Sequence, residues 1–179
     1  MEKAKRLHRD LKYQGNIVPV YEDTIELLNG KQVHWDYIDH IGAAAVVPVL
    51  DDGKILMVKQ YRNTLDRITL ELPAGKKDKK GEPGLECAKR ELEEETGYCS
   101  DKLEWLIDVC SWIAFSNEII EVFVATELEE TQQRLDEDEF VEVEAYTVEE
   151  LKKMILDGTI QDAKTIAGVL AYATKYRES

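Results

Sequence analysis

The stretch Arg90-Glu91-Leu92-Glu93-Glu94-Glu95-Thr96-Gly97-Tyr98 concentrates carboxylates at a spacing that can do chemistry. On a helix turning roughly 100° per residue, Glu94 lies about 60° to one side of Glu91 and Glu95 about 40° to the other. Three carboxylates then share one face, while Glu93 points away. Like charges at i+3 and i+4 repel by roughly a few tenths of a kcal/mol per pair in an isolated helix, and a bound divalent cation reverses that sign. Magnesium takes hard carboxylate and carbonyl oxygens and keeps places for water and substrate phosphate. A solvated acidic face is the competing reading of the tract taken alone.

The elements that must position this face are legible around it. A short strand, Ile68 to Leu72, runs into Pro73-Ala74-Gly75 and a Lys/Gly-rich loop. The helix should begin near Pro83, which suits a first turn, pack through Leu85, Ala88 and Leu92, and end at Gly97. Upstream, Ala43 to Leu50, Asp51-Asp52-Gly53 and Lys54 to Tyr61 read as strand, turn and strand with buried character. Further upstream, Thr24 to Leu28 and Lys31 to Ile38 flank Asn29-Gly30, the signature of a hairpin with a two-residue type I′ turn. Downstream come strands at Leu103 to Cys110, Ile119 to Thr126 and Val141 to Tyr146, then helices at Val148 to Asp157 and Asp162 to Tyr176. Strands and helices mix without βαβ alternation, which favours an α+β or sandwich arrangement over a doubly wound sheet. Residues 1–40 read as a β appendage that could serve dimerisation, and residues 41–179 as the main domain.

Composition narrows the partners. The 179 residues hold 23 Lys and Arg against 37 Asp and Glu, a formal charge of −14. That field repels nucleic acid and anionic lipid, yet admits a small phosphate ester where metal ions invert the local charge. The longest nearly apolar run, Ile41 to Leu50, is too short for a membrane helix, which needs roughly 20 residues. No apolar stretch follows Met1 to Arg6, so no membrane partner is expected and the cytoplasm is the expected home. Cys87, Cys99 and Cys110 lack CxxC spacing and read as small buried hydrophobes.

After the strand end Glu71-Leu72-Pro73-Ala74, the residues Gly75, Glu82, Arg90-Glu91-Leu92, Glu94-Glu95 and Gly97-Tyr98 resemble the Nudix hydrolase box. Six residues rather than five separate Gly75 from Glu82, an insertion confined to the loop Lys76 to Gly81. The resemblance implies a Nudix-type α/β/α sandwich and metal-dependent cleavage of a nucleoside diphosphate linked to another moiety. It assigns metal binding to Glu91, Glu95, Glu94 and the Ala74 carbonyl, with Mg2+ as cofactor and Mn2+ as an alternative. Arg90 would orient the carboxylates, and Gly75, Glu82 and Gly97 would support the box.

Further segments are similar to the ADP-ribose pyrophosphatase branch: Gly42 to Pro48, Val58-Lys59-Gln60-Tyr61-Arg62, Leu135 to Val143, and Asp162-Ala163-Lys164-Thr165. By that resemblance Arg62 contacts the diphosphate and Glu71 helps to bind substrate. Glu137 activates or positions water, with Glu139 as an auxiliary ligand or alternative base. Trp35 would stack on the nucleobase and Asp36 would read its edge, often across a homodimer interface. Glu118 would face the terminal ribose. The branch's Pro-Gly segment is replaced here by Cys110 to Glu118, where Trp112 or Phe115 could reshape the pocket. A nucleoside-diphosphate-sugar pyrophosphatase acting on GDP-mannose is therefore the alternative enzyme, and a nucleotide sensor the non-catalytic one.

Overall fold

The computed structural model describes residues 2–135 and 140–177. Four sheets, one of them a two-stranded ribbon, and three helices make up the described residues in an α+β arrangement. The N-terminal sheet is antiparallel and contains β1 (Lys5–Gln14), β2 (Pro19–Glu26) and β3 (Gln32–Ile38) in that order. It has one strand more than the expected hairpin. The turn also differs: Leu27 N–H donates to Lys31 O and Gly30 N–H to Leu27 O, and only Gly30, at φ 78°, is left-handed. A three-residue loop with a bulge glycine replaces the two-residue turn.

β4 (Ala43–Pro48) and β5 (Ile55–Arg62) follow, but they lie in different sheets. The Asp51-Asp52-Gly53 turn carries the chain from one to the other. β5 sits between β12 (Val141–Tyr146) and β6 (Arg67–Glu71). β4 is flanked by β7 (Ala74–Lys76), antiparallel to it, and by β10 (Ile120–Thr126), parallel to it; β9 (Lys102–Val109) completes that sheet. A two-stranded ribbon pairs β8 (Tyr98–Cys99) with β11 (Glu129–Glu130).

Alternation along β4 and β10 explains the layering. Ala43, Ala45 and Val47, with Val122 and Val124, face the larger core, which α2 (Val148–Leu156) and α3 (Ala163–Tyr176) close with Leu151, Val169 and Tyr172. Ala44, Val46, Phe123 and Ala125 face the other side and pack against Cys87, Ala88 and Leu92 of α1 (Gly84–Thr96). Small residues on β4 let α1 sit close to the sheet. Leu85, expected on the packed face, is 37% exposed, and Cys87 takes its place. Of the cysteines only Cys87 is fully buried; Cys99 is intermediate and Cys110 exposed, so the common reading of the three as buried hydrophobes holds for one. Among the described residues no helix is long and apolar enough to cross a membrane.

Candidate active site

α1 is delimited by backbone chemistry. Pro83 is its N-cap, just outside the first turn, and makes no side-chain cap bond. Gly97 ends it at φ 71°, its N–H donating to Glu93 O at 2.9 Å. A Cβ there would also lie 2.9 Å from Gln133 N, so glycine is required twice over.

The helix presents Glu91 and Glu95 inward, 8% and 4% exposed, and Glu94 half-buried. Register places β7 beneath them: Ala74 pairs with Ala45 and Gly75 with Ala44. Ala74 N–H donates to Glu95 Oε2 at 2.8 Å. A Cβ on Gly75 would stand 2.1 Å from the Glu91 carboxylate carbon, so this backbone has to be bare for the carboxylate to lie against it. Arg90 relieves the crowding of charge: Nη1 donates to Glu91 Oε1 at 2.6 Å and Glu94 Oε2 at 3.1 Å, and Nη2 to Lys76 O at 3.1 Å. Its guanidinium is held well above the ordinary range, because the facing carboxylates, Glu91 foremost, outweigh the burial that would lower it. Glu82 lies 3.9 Å from Arg90 and accepts the Asp78 N–H at 2.6 Å, tying the inserted loop to the helix. Glu93 points away, as its position on the helix requires, and pairs with Arg134 at 2.7 Å. Burial first and the Glu91 charge second push the Cys87 thiol up to about 12, so it is an inert packing group.

A cavity of about 830 Å³ opens on the other side of the Pro73 turn, lined by Arg62, Leu65, Arg67, Glu71, Trp112 and Lys164 among others. Arg62 Nε and Nη2 grip Glu71 Oε1 and Oε2 at 2.7 Å each. Thr69 Oγ1 adds a donor to Oε1 at 2.7 Å and Lys164 Nζ one to Oε2 at 2.5 Å. Four donors fill the acceptor sites of this carboxylate. Burial alone would raise Glu71; the Arg62 and Lys164 bonds and charges outweigh it and hold the carboxyl at about 2. Arg62 in turn is raised, chiefly by its bond to Glu71, and the charges of Glu95 and Asp162 act in the same direction. Glu95 thus lies within electrostatic reach of Arg62, joining the acidic helix to the cationic cavity.

A smaller cavity of about 400 Å³ is lined by His34, Trp35, Asp36, Ala114 and Phe115. Trp35 is half-exposed rather than packed in a core. The loop that carries Phe115 also carries Trp112 into the larger cavity, and the two rings touch with centroids 5.6 Å apart. Ile38 N–H donates to Phe115 O at 2.7 Å and His40 N–H to Asn117 Oδ1 at 2.7 Å, which pins this loop to the end of β3. Glu118 sits beside it with Oε1 3.5 Å from His40 Nδ1, a position outside both cavity linings.

Glu137 and Glu139 lie outside the described residues. The chain leading to them docks on the end of α1: Thr131 N–H donates to Gly97 O, Gln133 Nε2 to Glu95 O, and Arg134 N–H to Glu94 O. Beyond it Val141 pairs with Gln60, two residues from Arg62. Gln133 carried no sequence signal, and Lys164 stood in the Asp162-Ala163-Lys164-Thr165 segment without a role, since each acquires its partners only through the fold.

A hard divalent cation fits the chemistry of this site. The side-chain donors are carboxylate oxygens, and the Gly75 cradle that a Cβ would fill keeps Glu91 against the strand. Among the described residues no three His, Cys, Asp or Glu side chains converge as a metal centre; Arg90 holds Glu91 and Glu94, and the Ala74 amide holds one Glu95 oxygen.

A three-layer α+β fold with buried carboxylates on one helix beside a cationic cavity defines a phosphoanhydride-handling class of protein. The NUDIX domain model matches residues 39–169. The chain belongs to the Nudix family. It is 42% identical to the ADP-ribose pyrophosphatase of Bacillus subtilis (strain 168), an alignment covering 96% of this chain and 91% of the relative. It is also 40% identical to the methanol dehydrogenase activator of Bacillus methanolicus, over 88% of this chain and 85% of that protein. A solved structure described as an ADP compounds hydrolase shares the fold, with a TM-score of 0.86 at 20% identity, covering 97% of this chain and 94% of the other.

Proposed function

We propose that this protein hydrolyses the diphosphate of ADP-ribose with a divalent cation, magnesium or in its place manganese, releasing AMP and ribose 5-phosphate. The observation that carries the reading is the meeting of two oppositely charged groups: the buried carboxylates of α1 and the fixed guanidinium of Arg62, which feels the charge of Glu95. The likeness to an ADP-ribose pyrophosphatase over nearly the whole chain supports the substrate.

Glu91, Glu95, Glu94 and the Ala74 carbonyl hold the cation, which when bound neutralises the diphosphate and acidifies a water. Arg62 binds the diphosphate with the guanidinium edge that Glu71 leaves open. Arg90 keeps the carboxylates apart and oriented. Trp35 stacks on adenine and Asp36 accepts from its amino group. Glu137 takes the proton from water, with Glu139 as auxiliary ligand or alternative base. Glu118, beside His40 and outside both cavity linings, takes no part in this reading. Residues 41–179 form the catalytic domain and residues 1–40 an appendage, whose exposed Leu7, Leu11, Tyr13 and Trp35 suit a second copy of the chain in a cytoplasmic homodimer.

Purified protein with magnesium, assayed against ADP-ribose, GDP-mannose, ADP-glucose and dinucleoside polyphosphates, tests this directly. ADP-ribose should give the highest kcat/KM. Preference for GDP-mannose would replace the substrate, and no hydrolysis of any member would leave the sensor reading in its place.

A further inference from the structure

Lys164 is nearly fully buried, yet it lines the cavity floor. A buried ammonium persists only where anions compensate the loss of water. Here they are Glu71, at 2.5 Å, and Asp162, at 2.9 Å. Asp162 is also the N-cap of α3 and accepts from Thr165 N–H at 3.0 Å and Thr165 Oγ1 at 2.6 Å. Thr165 Oγ1 accepts the Leu72 N–H at 2.9 Å. The first turn of α3 is therefore fastened to the end of β6 at two successive residues, Glu71 through Lys164 and Leu72 through Thr165.

We propose that Lys164 is a positioning residue of the active site: through Glu71 it fixes the plane of the Arg62 guanidinium so that Nη1, the nitrogen that Glu71 does not engage, faces the cavity that receives the diphosphate. The bidentate grip uses Arg62 Nε and Nη2, and Nη1 makes no hydrogen bond among the described residues. Thr69 anchors one Glu71 oxygen and Lys164 the other, so the carboxylate cannot turn about its own axis and the guanidinium coplanar with it cannot tilt. Without Lys164, Glu71 Oε2 keeps only the Arg62 bond, and the pair is free to rotate toward solvent. The proposal rests on Arg62 contacting the diphosphate.

A mutant cycle in the full-length chain, at saturating magnesium, tests the link. Lys164→Met should raise KM for ADP-ribose by about tenfold and change kcat by less than about threefold, since it misplaces a binding group without touching the reacting atoms. In a Glu71→Gln background the same substitution should change KM by less than about twofold, because the link is already cut. Equal increases in both backgrounds would mean that Lys164 meets the substrate itself, and the proposal falls. Lys164→Arg keeps charge and donors and should stay within about threefold of wild type, giving a folded comparator if the methionine variant is unstable. The Kd of ADP-ribose by calorimetry with magnesium chelated reads the same cycle without turnover. Wild-type turnover with an unaltered KM in Lys164→Met overturns this proposal alone. Wild-type protein that neither binds nor hydrolyses any nucleoside diphosphate sugar overturns it together with the function above.

Discussion

Two clusters of charge flank the Pro73-Ala74-Gly75 turn, and their balances are opposite. On the α1 side Arg90 lies near four carboxylates, Asp78, Glu82, Glu91 and Glu94. In the cavity Arg62, Arg67 and Lys164 stand against Glu71 and Asp162. The first cluster has carboxylates to offer a cation; the second has a cation to offer an anion. A diphosphate carrying a metal ion presents both charges side by side, and the turn holds the matching groups on its two sides. The bulk charge of −14 says nothing of this division, which depends on which acids are locally neutralised.

Removing one anion from the acid-rich cluster should have the largest effect. Glu95→Gln is nearly isosteric, so the fold should survive, with thermal unfolding close to wild type. Turnover at saturating metal should fall on the order of a thousandfold, the scale of losing a group that stabilises transferring phosphoryl charge. Wild-type turnover in this variant would break the assignment of α1 as the metal face and reduce the comparison to surface electrostatics.

The cation-rich cluster should show itself first as stability. Glu71 sits at about 2 against an ordinary 4.5, so its contribution is complete above about 4.5 and drains away as pH falls from there toward 2. Urea unfolding across that window should show wild type losing about 3 kcal/mol more than Glu71→Gln. Parallel curves for the two proteins would mean that Arg62 and Lys164 do not hold the carboxylate as the geometry states.

The two clusters were not equally legible in the sequence. The α1 face could be read because helical periodicity is local: Glu91, Glu94 and Glu95 share a face whatever the rest of the chain does. The strand Val141 to Tyr146 and the helices after it were legible for the same reason. The Lys164–Glu71 bond joins residues 93 positions apart and exists only once α3 docks beside β6, so no pattern near either residue announces it. Glu71 itself was read as a substrate group; the structure fills its acceptor sites with the chain's own donors. β1 was missed because Leu7, Leu11 and Tyr13, although they fall on alternate positions, are interrupted by Arg9 and set among charged residues, and its side chains are mostly exposed. It is held instead by cross-strand pairs such as Arg9 with Asp23 at 2.6 Å. Leu85 was misplaced because α1 packs on the small residues of β4, where Cys87 fits and a larger side chain is turned outward.

A subtler test of the acid-rich side leaves every carboxylate in place. In Gly75→Ala the three atoms nearest the new methyl all belong to the Glu91 carboxylate, the far end of a side chain, so the backbone can stay where it is while the carboxylate is displaced. Activity should fall by about tenfold, the scale of disturbing the support of a metal ligand, with half-maximal magnesium rising in proportion. A loss of folded protein instead would mean that β7 itself cannot accept the methyl, and the cradle would be a packing feature.

Arg67 sharpens the other side with the smallest effect. It shares the cavity with Arg62 but lies on the exposed end of β6, where its guanidinium meets Gln161 rather than a buried carboxylate. A cation that is solvated and loosely held contributes a diffuse field, while one clamped in a plane contributes a directed hydrogen bond. Arg67→Ala should therefore raise KM by about threefold at low ionic strength, leave kcat unchanged, and lose even that effect in high salt as screening removes its field. A salt-resistant rise of tenfold or more would place Arg67 in direct contact with the substrate, and the distinction drawn between fixed and loose cations in this cavity would be wrong.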